Sequence, residues 1–197
     1  MSVIGLTGGI ACGKTLVSDY IQSFDVDVID ADIITRQLYM PGSKLLSDII
    51  SEFGDEYLLE DGNLDRSALR AYVFEDSERK NRLNEIVHPA IRKAVFEAMM
   101  ASEKDHQMIV VPLLIEAGYL DLCDEVWVMR VDEATQKERL VLRDGITEEL
   151  ALSMIASQMP FDEKKKYADR IIDNRGNKMH TLKQVRKIFL KYLKKNC

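Results

Sequence analysis

The stretch Gly8-Gly9-Ile10-Ala11-Cys12-Gly13-Lys14-Thr15 spells G-x-x-x-x-G-K-T and follows an apolar run, Val3-Ile4-Gly5-Leu6. That spacing is the signature of a phosphate-binding loop. Gly8 and Gly13 let the backbone turn tightly and approach an anion without a side chain in the way. The loop N–H groups point inward as a nest and open a helix whose N-terminal dipole favours negative charge. Lys14 would reach the β- and γ-phosphates of a nucleoside triphosphate, and the Thr15 hydroxyl would hold Mg²⁺. The competing reading is a glycine turn ahead of an ordinary helix. The strand-like run before the loop and the helical pattern after it (Leu16, Val17, Tyr20, Ile21, Phe24) favour nucleotide binding.

Working outward, Val3–Leu6 reads as the first strand and Lys14–Ser23 as the first helix. Asp27–Asp30 is a short second strand, followed by a helix from Ile33 to about Tyr39, and Ser43 is placed to cap another. Met108–Val111, Glu125–Val131 and Arg170–Asp173 are further strands, with helices at Ala134–Leu142, Thr147–Ser157 and Asp162–Ala168. Continuously apolar strands separated by helices indicate a parallel sheet covered on both faces, an α/β fold. The helical gap before Met108 is too long for one crossover. It reads as an insertion over 58–104, and the stretch 133–167 as a lid. The core is then 1–57, 105–132 and 168–197.

The chain has 197 residues, 46% of them hydrophobic, enough for one core with an inserted lobe. A formal net charge of -6 argues against a nucleic-acid coat, which shows a basic surface. The one concentrated basic stretch, Lys183 through Lys195, alternates with an apolar stripe of Leu182, Val185, Ile188, Phe189 and Leu193. It reads as the solvated face of a docked helix. Cys12, Cys123 and Cys197 form no C-x-x-C pair, which suggests reduced thiols rather than zinc or disulfides. No window reaches membrane-spanning length, so no membrane partner and a cytoplasmic location are expected.

Parallel sheets bind ligands at the carboxyl ends of their strands. After the second strand stand Asp30-Ala31-Asp32, whose two carboxylates point the same way in an extended segment. Phosphoryl transfer needs a carboxylate to accept the proton of the attacking hydroxyl. Asp32 fits that role, with Asp30 assisting; equally, Asp32 fits the N-cap of the next helix. Arg36, one turn on, could hold an anionic group of the acceptor or lie idle on the surface. After the third strand, Pro112-Leu113-Leu114-Ile115-Glu116 ends in an acid that could join a metal shell, pair with an arginine, or stand exposed. In the lid, Arg139 and Arg143 are four apart and share a helix face. They could neutralise a transferring phosphoryl group, or pair with Glu138 or Asp132. His88-Pro89 breaks a helical pattern, and His88 by itself reads as structural. Trp127 reads as core.

Taken together these residues resemble the dephospho-CoA kinase family nearly from end to end. The resemblance runs through Gly5 to Ile10, Val28 to Asp32 with Arg36, Pro41-Gly42, Leu64-Asp65-Arg66 and Ile86 to Arg92. It continues with Pro112 to Glu116, Gln136, Arg139, Arg143-Asp144, Ser157-Gln158, Ala168-Asp169 and Ile172-Asp173-Asn174. It implies a P-loop kinase fold with a five-stranded parallel sheet flanked by helices, a helical CoA-binding insertion and a lid. It also implies ATP-dependent phosphorylation of the ribose 3′-hydroxyl of dephospho-CoA, with ATP and Mg²⁺ as cofactors and a monomer or weak homo-oligomer. Asp32, Lys14 and Arg139 match the catalytic positions. Gly9, Ile10, Ala11, Cys12, Gly13, Lys14, Thr15 and Leu16 match the nucleotide site, with Arg143 and with Asn174 near the adenine. Thr7, Asp32, Arg36, Arg66, His88, Leu114 and Glu116 match the substrate site.

The chain departs from the family at Ala11-Cys12, where Gly-Ser is usual, and downstream of Gln158, where Lys164-Lys165-Lys166 replaces an arginine. Ala11 is expected to keep a negative φ. Cys12, at a helix N-terminus, is expected to favour its thiolate, so that alkylation inactivates and ATP protects. A kinase for another small metabolite would carry the same phosphate machinery. A GTPase switch would need N-K-x-D, and Asn177-Lys178-Met179-His180 lacks the final Asp. A non-catalytic P-loop module fits poorly with Asp32 and the paired arginines.

Overall fold

β1 (Ser2–Gly8) is buried along its whole length, as befits a continuously apolar strand in the middle of a parallel sheet. Our computed structural model describes residues 2–195, so the expectation for Cys197 lies outside the described residues. The sheet has five strands in the order β2 (Asp27–Asp30), β3 (His106–Val110), β1, β4 (Glu125–Arg130), β5 (Arg170–Asp173). β1 runs parallel to β3 and β4, and β4 parallel to β5. Gly8 lies opposite Met129, and Met129 opposite Ile172. The chain therefore leaves β1, β4 and β5 at the same edge, where a ligand of such a sheet is bound.

The sheet is covered by α1 (Lys14–Gln22) and α9 (Lys178–Lys195), with α6 (Glu133–Asp144), α7 (Glu148–Ala156) and α8 (Phe161–Lys164) following β4. Ile4, Leu6, Met108, Trp127 and Ile172 from the strands close on Val17 and Ile21 of α1 and on Val185 and Phe189 of α9. The apolar stripe read from the sequence is thus the docked face of α9, while Lys183, Lys187, Lys191, Lys194 and Lys195 are exposed. Trp127 is fully buried, its indole N–H donating to Glu125 at 3.2 Å.

The remaining helices form a second compact unit, Asp30–Ala101; the first comprises the described residues up to Ile29 and from Ser102 onward. α2 (Ala31–Leu38), α3 (Lys44–Phe53) and α4 (Arg66–Phe74) pack on the long α5 (Ser77–Ala101). The helical unit thus begins at 30 rather than at 58, because Leu45, Leu46 and Ile49 of α3 share one core with Leu69, Val73 and Val87. The stretch 133–167 clusters with the sheet. A break at His88-Pro89 does not occur: α5 continues through Pro89. A proline removes one hydrogen bond and crowds the preceding turn. Here Leu83, Ile86, Val87, Ala90 and Ile91, on both sides of Pro89, pack into the same cluster and hold the helix together.

Candidate functional site

The loop after β1 is shaped by three residues with positive φ: Gly8 at 151°, Ala11 at 58° and Gly13 at 86°. A Cβ on Gly8 would collide with Met129, and one on Gly13 with the Asn174 carboxamide, so both glycines answer to space as well as φ. Ala11 does not keep the negative φ expected of it. It occupies the left-handed region, at roughly 1–2 kcal/mol for a residue with a Cβ, and its neighbours must hold it there.

They do so through the loop carbonyls, each of which accepts a hydrogen bond from a side chain. Lys14 Nζ donates to Gly8 O at 3.1 Å and Gly9 O at 3.2 Å, and Cys12 Sγ to Gly9 O at 2.7 Å. Gln136 Nε2 donates to Ile10 O at 2.7 Å, Arg139 to Ala11 O at 3.3 Å, and Asn174 Nδ2 to Cys12 O at 2.8 Å. With the oxygens turned to protein donors, a concavity is left for N–H groups. The first N–H groups of α1, Lys14 and Thr15 among them, have no intrahelical partner. Thr15 is exposed and Leu16 half-buried. Such a surface binds a phosphate.

Cys12 contradicts its expectation. Its side chain is buried, and burial pushes the thiol pKa above its usual value despite the nearby Lys14 charge. The helix dipole is worth at most about 2 kcal/mol and cannot offset desolvation of a thiolate here. The thiol instead serves as a donor inside the loop.

Arg139, on α6, bridges the loop to the end of β5 by a second hydrogen bond, to Asn174 O at 3.1 Å. Asn174 is buried, and its carboxamide oxygen accepts from Thr181 at 2.8 Å. One end of this side chain holds the loop and the other is held by Thr181, and the backbone N–H donates to Arg130 O at 2.9 Å, which leaves any adenine contact to its neighbours. Arg143 lies one turn beyond Arg139 but pairs with Asp144 at 2.7 Å beside the end of α6. It does not join Arg139 at the loop.

The segment after β3 is tied to the same edge. Thr7 Oγ1 donates to Pro112 O at 3.1 Å. Leu114 is fully buried, where a Cβ on Gly5 would strike it, so it is a packing position. Glu116 pairs with a lysine rather than an arginine: its Oε1 lies 2.6 Å from Lys164 Nζ and accepts the Met159 N–H at 3.2 Å. The Lys164 side chain is 1% exposed. Lys165 and Lys166 instead make exposed pairs with Asp162 and Glu163, both at 2.6 Å. Gly9, Cys12, Gln136, Gln158 and Lys164 line one cavity of about 520 Å³.

The helical unit carries the other candidates. Asp30 and Asp32 do not share an extended segment, because α2 begins at Ala31. Asp30, not Asp32, is the N-cap, accepting from the N–H of Asp32 at 2.8 Å and of Ile33 at 3.3 Å. The cap bonds occupy Asp30, while Asp32 is exposed in the first turn with Arg36 exposed one turn on. Arg66 stacks on the Tyr39 ring at 4.5 Å, and burial raises the Tyr39 hydroxyl pKa. His88 is exposed on α5.

Comparison with known proteins gives one consistent result. The sequence profile of the family described as dephospho-CoA kinase matches residues 2–180. A dephospho-CoA kinase of Shouchella clausii is 45% identical over 185 residues, 92% of this chain and 94% of the relative. One of Symbiobacterium thermophilum is 45% identical over 188 residues, 94% and 79%. The crystal structure of TT1252 from Thermus thermophilus superposes with a TM-score of 0.85 at 28% identity, covering 98% of this chain and 97% of that one. Dephospho-CoA kinase from Campylobacter jejuni superposes with a TM-score of 0.73 at 28% identity, covering 99% and 98%. A shikimate kinase from Bacteroides thetaiotaomicron, 12% identical with a TM-score of 0.56, covering 98% of each chain, shares the fold alone.

Proposed function

The chain belongs to the dephospho-CoA kinase family, and on that premise we propose that it transfers the γ-phosphoryl group of ATP to the ribose 3′-hydroxyl of dephospho-CoA, giving coenzyme A. It is a transferase of coenzyme A biosynthesis with a P-loop nucleotide site. Membership of a kinase family implies use of ATP. The observation that supports phosphoryl transfer from a bound triphosphate is the loop whose carbonyls from Gly8 to Cys12 all meet side-chain donors ahead of the free N–H groups at the start of α1; the acceptor follows from the family.

The triphosphate lies along the loop, and Lys14 exchanges its bonds to Gly8 O and Gly9 O for phosphate oxygens. Arg139 is close enough to the loop to add positive charge as the phosphoryl group moves. Preorganised cations contribute several kcal/mol where such charge develops. The 3′-oxygen attacks phosphorus as the bond to the β-bridging oxygen breaks, and ADP leaves. The hydroxyl proton passes to the exposed Asp32 carboxylate. Thr15 would hold Mg²⁺, which neutralises phosphate charge when bound. Arg36 and Arg66 supply cationic contacts for the acceptor, with His88 and the helical unit gripping the CoA portion, and 133–167 acts as the lid. We place the enzyme in the cytoplasm as a monomer or weak homo-oligomer without a nucleic-acid partner, in keeping with its net charge of -6. Among the described residues no helix is long and apolar enough to cross a membrane.

The test is ATP consumption with dephospho-CoA, AMP, adenosine or no acceptor, locating the new phosphate by NMR. Only dephospho-CoA should be consumed, and at its 3′-oxygen. Equal turnover with AMP overturns the acceptor assignment. Asp32→Asn should lower turnover by about 10²–10⁴ with little change in ATP affinity; near-normal turnover removes Asp32 as base.

A further inference from the structure

Ile10 is held on both sides of its backbone. Gln158 Oε1, from the turn after α7, accepts the Ile10 N–H at 2.7 Å, and Gln136 Nε2, from α6, donates to Ile10 O at 2.7 Å. Each carboxamide has only one useful orientation, since a peptide N–H needs the oxygen and a carbonyl needs the nitrogen. Gly9 makes room for this arrangement: a Cβ there would overlap Gln136 Nε2. The Gln158 side is anchored in turn, because Glu116 accepts the N–H of Met159, the next residue, and pairs with the buried Lys164.

A trans peptide is planar, with its C=O and N–H pointing in opposite directions. Fixing Ile10 O on Gln136 therefore turns the Ala11 N–H the other way, into the concavity. Fixing the Ile10 N–H on Gln158 likewise turns Gly9 O toward its donors, Lys14 and Cys12. The geometry needs this restraint, since Ala11 sits at φ 58° and rotation of the Ile10–Ala11 peptide would relieve its strain. We infer that Gln136 and Gln158 are positioning residues, which clamp the Ile10 peptide groups and thereby aim the Ala11 N–H at the bound phosphates. The inference rests on the reading of this loop as the ATP site.

Calorimetric titration of the full chain with ATP, without acceptor, tests it. Gln136→Leu and Gln158→Leu should each weaken ATP binding by about tenfold, the effect of one lost phosphate hydrogen bond. The double variant should be little worse than the worse single, because both act on one element. The KM for dephospho-CoA should stay near that of wild type. Should the leucine variants fail to fold, Gln136→Glu keeps shape and size but faces the Ile10 carbonyl with an acceptor, and should weaken ATP at least as much. Folded variants that bind ATP within about twofold of wild type overturn the inference, as does a double variant whose loss is the product of the singles. A wild-type chain that binds ATP but leaves dephospho-CoA unmodified defeats the proposed acceptor while leaving this clamp intact.

Discussion

Removing either partner of the Lys164–Glu116 pair breaks the same 2.6 Å contact, yet the two removals should differ in effect. Lys164 is 1% exposed at its side chain, whereas Glu116 is 23% exposed. In Glu116→Ala the ammonium stays behind with only Pro112 O, at 3.5 Å, among its hydrogen-bond partners, and the Met159 N–H loses its acceptor. An uncompensated buried charge costs about 3–5 kcal/mol. In Lys164→Met the charge itself is gone and methylenes fill its space. The remaining carboxylate keeps the Met159 N–H and can draw in water, so the loss should be about 1–2 kcal/mol. Replacing both, as Lys164→Met with Glu116→Leu, exchanges the pair for apolar contacts and should fall below Glu116→Ala alone.

Urea unfolding followed by tryptophan fluorescence measures this. The only tryptophan is Trp127, buried in the sheet, so the signal reports the unit that holds the pair. Against a typical total stability of about 5–15 kcal/mol, the difference between the two single variants is a large part of the whole. By heat, Glu116→Ala should melt roughly 6–20 °C below wild type and Lys164→Met roughly 2–8 °C below. Equal losses in the two single variants, or a double variant equal to their sum, would refute the reasoning from burial.

Two other perturbations follow from the same coordinates. The buried, protonated Cys12 should resist iodoacetamide in the native protein near pH 7.5 and react only after denaturation; Cys123, whose thiol burial pushes up to about 12, should behave alike. Peptide mass spectrometry decides, and rapid native labelling of Cys12 counts against this account. The Arg175 guanidinium, hydrogen-bonded to Asp173, pulls that carboxyl down to about 2, below its unfolded value near 3.9. The stability it contributes is therefore fully present above about pH 4 and is lost as pH falls through about 2. Asp173→Asn should be destabilised at neutral pH and approach wild type as pH falls below about 2; a deficit that does not shrink between about pH 4 and about pH 2 contradicts the assignment.

Much of the fold was legible because it is written in local patterns. Short runs rich in β-branched and apolar residues mark all five strands to within two residues, and Asp27–Asp30 and Arg170–Asp173 to the residue. The Ser43 cap and the docked face of α9 follow from capping chemistry and a 3.6-residue stripe. The failures arose where tertiary structure overrode a local rule. Pro89 signals a break, but apolar side chains before and after it share one core. Asp32 and Asp30 both favour a helix start, and only the turn of the chain out of β2 decides that Asp30 takes the cap.

The site divides in the same way, and the division explains which roles were missed: Asn174 is expected near the adenine and Gln136 and Gln158 enter only through the family resemblance, none of them as a support of the loop. A phosphate loop is contiguous, so its glycines, lysine and threonine appear together in the sequence. Its support is not: Gln136, Asn174 and Gln158 reach the loop across sequence separations of 126, 162 and 148 residues. They are uncharged carboxamides, whose spacing carries no periodic signal, and they bind backbone atoms that every residue possesses. Arg139 was singled out by its charge, but what it contacts here, Ala11 O and Asn174 O, is backbone too. The Cys12 reading failed for the same reason. A helix N-terminus is visible in a sequence and lowers a thiol pKa, whereas burial is not visible and raises it further. A loop in which Ala11 takes a glycine-like φ can persist only if its surroundings over-determine it. The side-chain donors along five consecutive carbonyls are that over-determination, so the departure at Ala11 and the distant carboxamides are two sides of one structural requirement.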